Sequence, residues 1–162
     1  MKMRAVFLTV TVSLLSISVN ADQPSQANFE SQLQEIMSFE VDNISRTETT
    51  VRSCDIRSVR TLLRRCSVFG QAGKIITNID LRSVEEIVER TLYGDLLLSF
   101  QPTELPLDQS LVTDFVSSTQ AWYCDGSFAS DSANPVGSLD LPLTGRDGLF
   151  SMLSEYDQTY CN

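Results

Sequence analysis

Apolar positions recur at helical spacing along much of the chain. Phe29, Leu33, Ile36 and Met37 fall at i, i+4, i+7 and i+8, with Glu40 one step on, and Ser25 precedes them as a cap; this predicts a helix over 26–41. Ile56, Val59, Leu62, Leu63 and Cys66 gather on one arc at 100° per residue, flanked by a stripe of Arg57, Arg60 and Arg64. That pattern predicts an amphipathic helix over 55–69, with Gly70 as its left-handed stop. Ser83-Val84-Glu85-Glu86 has the form of a capping box, and Val84, Ile87, Val88, Thr91 and Leu92 continue it at helical period up to Gly94. Asp108 caps a further expected helix over 109–123, with Leu111, Val112, Phe115, Val116, Thr119 and Trp122 turned inward. Leu149, Leu153, Tyr156 and Tyr160 mark a last one over 147–160.

Fewer segments read as extended. Residues 74–79, KIITNI, predict a short strand, and 47–53, TETTVRS, a strand or an extended arm. The apolar run 95–100 fits either a buried strand or one more helical turn, because periodicity cannot separate the two. From Asp125 to Gly145 the chain turns rich in Ser, Asp, Gly and Pro, which predicts one long loop. Together these segments predict a mainly α domain of about five helices with two short strands, the alternative being α+β.

The first residues change the picture of where this domain works. Lys2 and Arg4 precede an apolar run from Ala5 to Val19, and Val19-Asn20-Ala21 places small residues around a cleavage point. This is the pattern of a secretory signal peptide over 1–21, leaving a mature globular domain over 22–162 in the periplasm or outside the cell. The run is shorter than the ~20 residues a spanning helix needs, so no membrane insertion is expected after cleavage. Four cysteines, Cys54, Cys66, Cys124 and Cys161, all follow the leader, and an even number in an exported chain reads as two disulfides. A continuous helix over 56–66 would hold Cys54 and Cys66 about 15 Å apart or more, beyond the roughly 7 Å between Cα atoms that a disulfide allows. The helical reading therefore sends Cys66 to Cys124 or Cys161, whereas a sharp reversal after Cys54 would permit the local pair. Asn43-Ile44-Ser45 is a glycosylation sequon, of use only in a host that glycosylates exported proteins.

Charge and composition then narrow the chemistry. The formal net charge is −9, and loss of Lys2 and Arg4 makes it more negative, which disfavours nucleic acid and anionic lipid as partners. There is no histidine, so catalytic triads, Cys-His dyads and imidazole metal sites are excluded. Lys74 is the one lysine beyond the leader, and oxidised cysteines are not nucleophiles. Glu85, Glu86 and Glu89 would sit side by side on a helix, as a carboxylate pair or simply as its wet face. Asp125, Ser127, Asp131 and Asn134 offer oxygens without EF-hand spacing. Trp122 and Tyr123, beside Cys124, read as core more readily than as a stacking platform.

These residues point to no metal, no cofactor and no catalytic constellation. The favoured expectation is an exported, non-enzymatic binding protein, such as an inhibitor or toxin-neutralising partner of another protein. Arg57, Arg60 and Arg64 are its candidate binding residues, although the acidic segment 85–89 of the same chain is the simpler partner for that stripe. One alternative is a helical carrier of a lipid or small apolar ligand. Another is a small carboxylate-dependent hydrolase.

Overall fold

The computed structural model describes residues 25–64, 71–92, 95–102, 115–142 and 146–162. It overturns the mainly helical expectation: strand makes up 54% of the structure, in two antiparallel sheets with two helices. Helix α1 (Gln26–Met37) is followed by β1 (Phe39–Val41), β2 (Ser45–Arg52), β3 (Asp55–Leu62) and β4 (Ala72–Asp80). A single 3-10 turn leads to β5 (Glu86–Leu92) and β6 (Asp95–Gln101). The chain continues through β7 (Ser117–Tyr123), β8 (Phe128–Asn134) and β9 (Gly137–Pro142), and closes with α2 (Leu149–Tyr160). The larger sheet runs β1-β2-β3-β4-β7-β8 and the smaller β5-β6-β9. The chain thus leaves the larger sheet after β4, returns to it for β7 and β8, and crosses back to set β9 beside β6.

The two helices form where their period was clearest. Phe29, Leu33 and Met37 of α1 and Leu149, Leu153 and Tyr156 of α2 are buried against Leu96, Leu98 and Phe100 of β6 and Leu139 and Leu141 of β9. Each large side chain so buried contributes about 1.5–3 kcal/mol relative to an exposed one. Strands β2, β4 and β6 occupy the segments that admitted an extended reading.

Four segments differ from expectation. The stretch read as a helix over 55–69 is β3 as far as Leu62. Its side chains alternate between faces, but the inward set is Ile56, Ser58 and Arg60, so no apolar alternation announces the strand. The expected helix after Ser83 is β5, paired along its length with β6. The actual cap there is Asp80, whose carboxylate accepts a bond from the Arg82 backbone N–H and ends β4 in the 3-10 turn. Of the expected helix 109–123, the residues from Ser117 form β7 between β4 and β8; residues 103–114 lie outside the described ones. The supposed loop over 125–145 carries β8 and β9, whose serines and aspartates are the outward half of strands. Gly73 marks an irregularity in the β4–β7 pairing, and a Cβ there would lie 2.8 Å from the Cys124 Cα.

The tip of the β2–β3 hairpin is fastened from both helices. Ser53 and Cys54 have φ of 48° and 69°, the mirror-image turn a two-residue hairpin requires, in residues other than the glycine that adopts it freely. The Ser53 N–H donates to Glu30 Oε1 on α1 at 2.8 Å, and the Cys54 N–H donates to the Tyr156 hydroxyl on α2 at 3.2 Å. That hydroxyl in turn donates to Glu30 Oε1 at 2.8 Å. A disulfide joins Cys54 to Cys161, with 5.6 Å between their Cα atoms. This pairing excludes the local Cys54–Cys66 bond and removes Cys161 as a partner for Cys66. Cys124 is also disulfide-bonded, and Cys66 lies outside the described residues. Among the described residues no helix is long and apolar enough to cross a membrane.

Candidate binding cleft

Antiparallel partners directly opposite one another share a face, so register gives the inner surface of the larger sheet row by row. The row nearest the hairpin tip is Val51, Ile56 and Ile79, continued by Ser117, and it belongs to the core. The next row crosses five strands as Thr49, Ser58, Thr77, Thr119 and Ser132. Beyond it lie Thr47, Arg60 and Ile75. A sheet face that meets a core is normally apolar; this one changes from aliphatic to hydroxyl within two residues along each strand. Threonine suits this role, since its branched Cβ favours strand while its hydroxyl stays available.

Helix α1 takes over the β2 end of the hydroxyl row. The Thr49 hydroxyl donates to the Met37 carbonyl at 2.9 Å, and the Thr49 N–H donates to the Ser38 hydroxyl at 2.9 Å. The rest of the row opens into a cleft of about 510 Å³, inside the roughly 300–1,000 Å³ range of small-molecule sites. Its far wall is the crossover Pro135–Val136 together with Ser138 and Asp140, the outward side chains of β9. The Ser117 hydroxyl donates to the Val136 carbonyl at 3.1 Å and ties this wall to the sheet. Gly137 permits the approach: a Cβ there would lie 3.2 Å from Ile79 Cγ1 and 3.3 Å from the Ser117 Cβ.

The cleft is graded in depth. Thr47, Ser58 and Ser117 are only 4%, 8% and 6% exposed and make a polar floor. Thr77, Thr119 and Asn134 are half-buried, and Arg60, Ser138 and Asp140 stand exposed at the mouth. The Thr47 Oγ1 is buried without a hydrogen-bond partner among the described residues. An unmatched buried hydroxyl costs about 1–3 kcal/mol, so a floor of this kind is stable when something polar lies on it.

The arginine stripe does not exist. Spacings of three and four residues meet on a helix, but on a strand a spacing of three reverses the side chain. Arg60 therefore reaches the cleft, and Arg57 stands on the opposite face in register with Thr50 and Asn78. Arg64 lies past the end of β3, beside a second groove of about 680 Å³ with Lys74, Trp122 and Tyr123. None of the three forms an ion pair among the described residues, so the acidic segment 85–89 does not neutralise them. Glu86 and Glu89 likewise point to opposite faces of β5, which removes the side-by-side carboxylates a helix would have supplied.

Trp122 and Tyr123 are not core. The Lys74 ammonium lies 5.5 Å from the centre of the Trp122 ring, Phe128 meets that ring edge-on at 5.8 Å, and Tyr123 is 40% exposed. The Asp125 carboxylate accepts from both the hydroxyl and the N–H of Ser127, at 2.6 and 2.8 Å, which holds it below its ordinary pKa and closes the β7–β8 turn. Among the described residues no three acidic or sulfur side chains converge as a metal site would need. Sequence reasoning missed Thr47, Ser58, Thr77, Thr119 and Asp140; the one available signal was the alternate-residue hydroxyl pattern of TETTVRS. No known protein family, curated protein or solved structure matches this chain, so its function must be argued from the cleft itself.

Proposed function

We propose that this chain is an exported, non-catalytic binding protein whose site is the cleft between the larger sheet and β9, and whose ligand is a small polar molecule. One observation carries the reading: Thr47, Ser58, Thr77, Ser117 and Thr119 turn hydroxyls into a single cavity where the sheet would otherwise present aliphatic side chains. A lipid would leave these groups unmatched at about 1–3 kcal/mol each. The space between the two helices offers it no alternative, because Phe29, Tyr156 and Tyr160 pack there with ring centres 5.4–6.2 Å apart. Export is supported by the leader pattern and by the Cys54–Cys161 disulfide, which needs an oxidising compartment.

The test is a fragment screen on the isotope-labelled mature protein, Asp22–Asn162, using neutral polyols, sugars, hydroxy acids and aliphatic acids. Binders should shift the amide signals of Ser58, Thr77 and Thr119. The paired Thr77→Val and Thr119→Val changes should remove the response while the rest of the spectrum stays in place. Binders that shift only the Lys74, Trp122 and Tyr123 signals would move the site to the outer groove. That groove favours a second reading, a protein partner, because Phe128 and Tyr123 are 56% and 40% exposed there; Trp122→Ala should then abolish the outer response.

A further inference from the structure

Resting on the cleft as the binding site, we infer the ligand's class: a monocarboxylate carrying several hydroxyl groups, of the sugar-acid type, with its carboxylate on Arg60. Arg60 is the one cationic side chain lining the cleft. It is exposed and makes no ion pair among the described residues, although the chain carries 21 acidic side chains against 12 basic ones. A guanidinium left free in such a molecule, at the mouth of a cavity, is a fork that fits a carboxylate in two-pronged fashion.

The remaining lining sets the rest of the ligand. Thr77, Thr119 and Ser138 both donate and accept, and Asn134 does so through its amide, so they match groups that do the same, which is the property of alcohols. Asp140 on the far wall only accepts when ionised, so what meets it must be a donor. Asp140 also limits the charge: one guanidinium facing one carboxylate has no surplus to hold a dianion, which favours a carboxylate over a phosphate. Ile75, Pro135 and Val136 supply apolar patches for the C–H faces of a polyol or sugar ring. A zwitterionic amino acid would satisfy Arg60 and Asp140 but leave most of the hydroxyls unmatched.

The experiment is calorimetric and NMR titration of the mature protein with gluconate, sorbitol, hexanoate, sorbitol phosphate and threonine. Gluconate should bind at least about tenfold more tightly than sorbitol, which lacks the charge, and hexanoate, which lacks the hydroxyls. The advantage over sorbitol should shrink as salt rises, since Arg60 is exposed. Arg60→Gln should abolish that advantage, whereas Arg57→Gln, the same loss of charge on the other face, should leave it intact. Equal binding of gluconate and sorbitol, tighter binding of sorbitol phosphate or threonine, or an advantage unchanged in Arg60→Gln would each overturn the sugar-acid assignment. Any of these with the Thr77 and Thr119 signals still shifting would leave the cleft reading standing. Binders confined to the outer groove would remove both.

Discussion

Tyr156→Phe is a deletion of one oxygen whose consequences can be worked through from the hairpin clamp. Tyr156 is fully buried, and its ring packs between Phe29 and Tyr160, so phenylalanine keeps the hydrophobic contacts. What goes is a hydroxyl that donates to Glu30 Oε1 at 2.8 Å and accepts from the Cys54 N–H at 3.2 Å. A hydrogen bond to a charged acceptor is worth about 1.5–3 kcal/mol, and stranding a buried N–H costs about 1–3 kcal/mol. Glu30 retains the Ser53 N–H and is only partly buried, so some of the first loss is recovered from the remaining bond and from water. The expected destabilisation is about 2–3 kcal/mol, which for a chain of this size lowers Tm by roughly 5–10 °C. The assay is urea and thermal unfolding of the oxidised protein, with Tyr123→Phe on the surface as the control. Burial also holds the Tyr156 phenol above its ordinary pKa of 10.0. Its contribution is therefore complete below that value and lost as pH rises through the raised one, so the parent should lose stability on that alkaline limb and the variant should lose less. A change within about 0.5 kcal/mol, the scatter of ordinary surface substitutions, would refute the clamp.

Other consequences follow from the same region. Ser53→Gly should stabilise by about 0.5–1 kcal/mol, because φ of 48° costs glycine nothing while the N–H to Glu30 is kept; chemical denaturation measures it. The paired Cys54→Ala and Cys161→Ala changes should cost up to about 4–5 kcal/mol, since the bond closes a loop with a sequence separation of 107, and non-reducing peptide mapping of the parent should return no Cys54–Cys66 pair. Asp157 is buried on α2 with Oδ1 unmatched, and desolvation raises its pKa despite the Asn162 amide that donates to Oδ2. The folded state thus pays for its charge as pH rises past the ordinary carboxylate value of 3.8. Asp157→Asn should raise Tm at pH 7 and leave it unchanged near pH 3, and an equal gain at both would show that charge is not the cause.

What the chain alone determined was everything that depends on local period and on composition. Helices α1 and α2 could be read because one apolar stripe at a spacing of three and four faces a core, and β4 because isoleucines crowd a short run. The even cysteine count likewise called for disulfides, and the absence of histidine excluded imidazole chemistry. Which cysteines join was decided in space, because Cys54 and Cys161 meet only once α2 packs on the hairpin tip.

Tertiary structure alone decided that residues 55–62 are a strand, and the reason is also the reason the site was missed. A half-buried strand announces itself by apolar residues at every second position, but β3 spends its inward positions on Ser58 and Arg60 to line a cleft. With the period-two signal erased there, Ile56, Val59, Leu62 and Leu63 fall by coincidence on a helical face. The arginines that looked like a stripe then divide between opposite sides of the sheet. Thr47, Ser58, Thr77 and Thr119 come from four separate strands, so only the register of the sheet makes them neighbours.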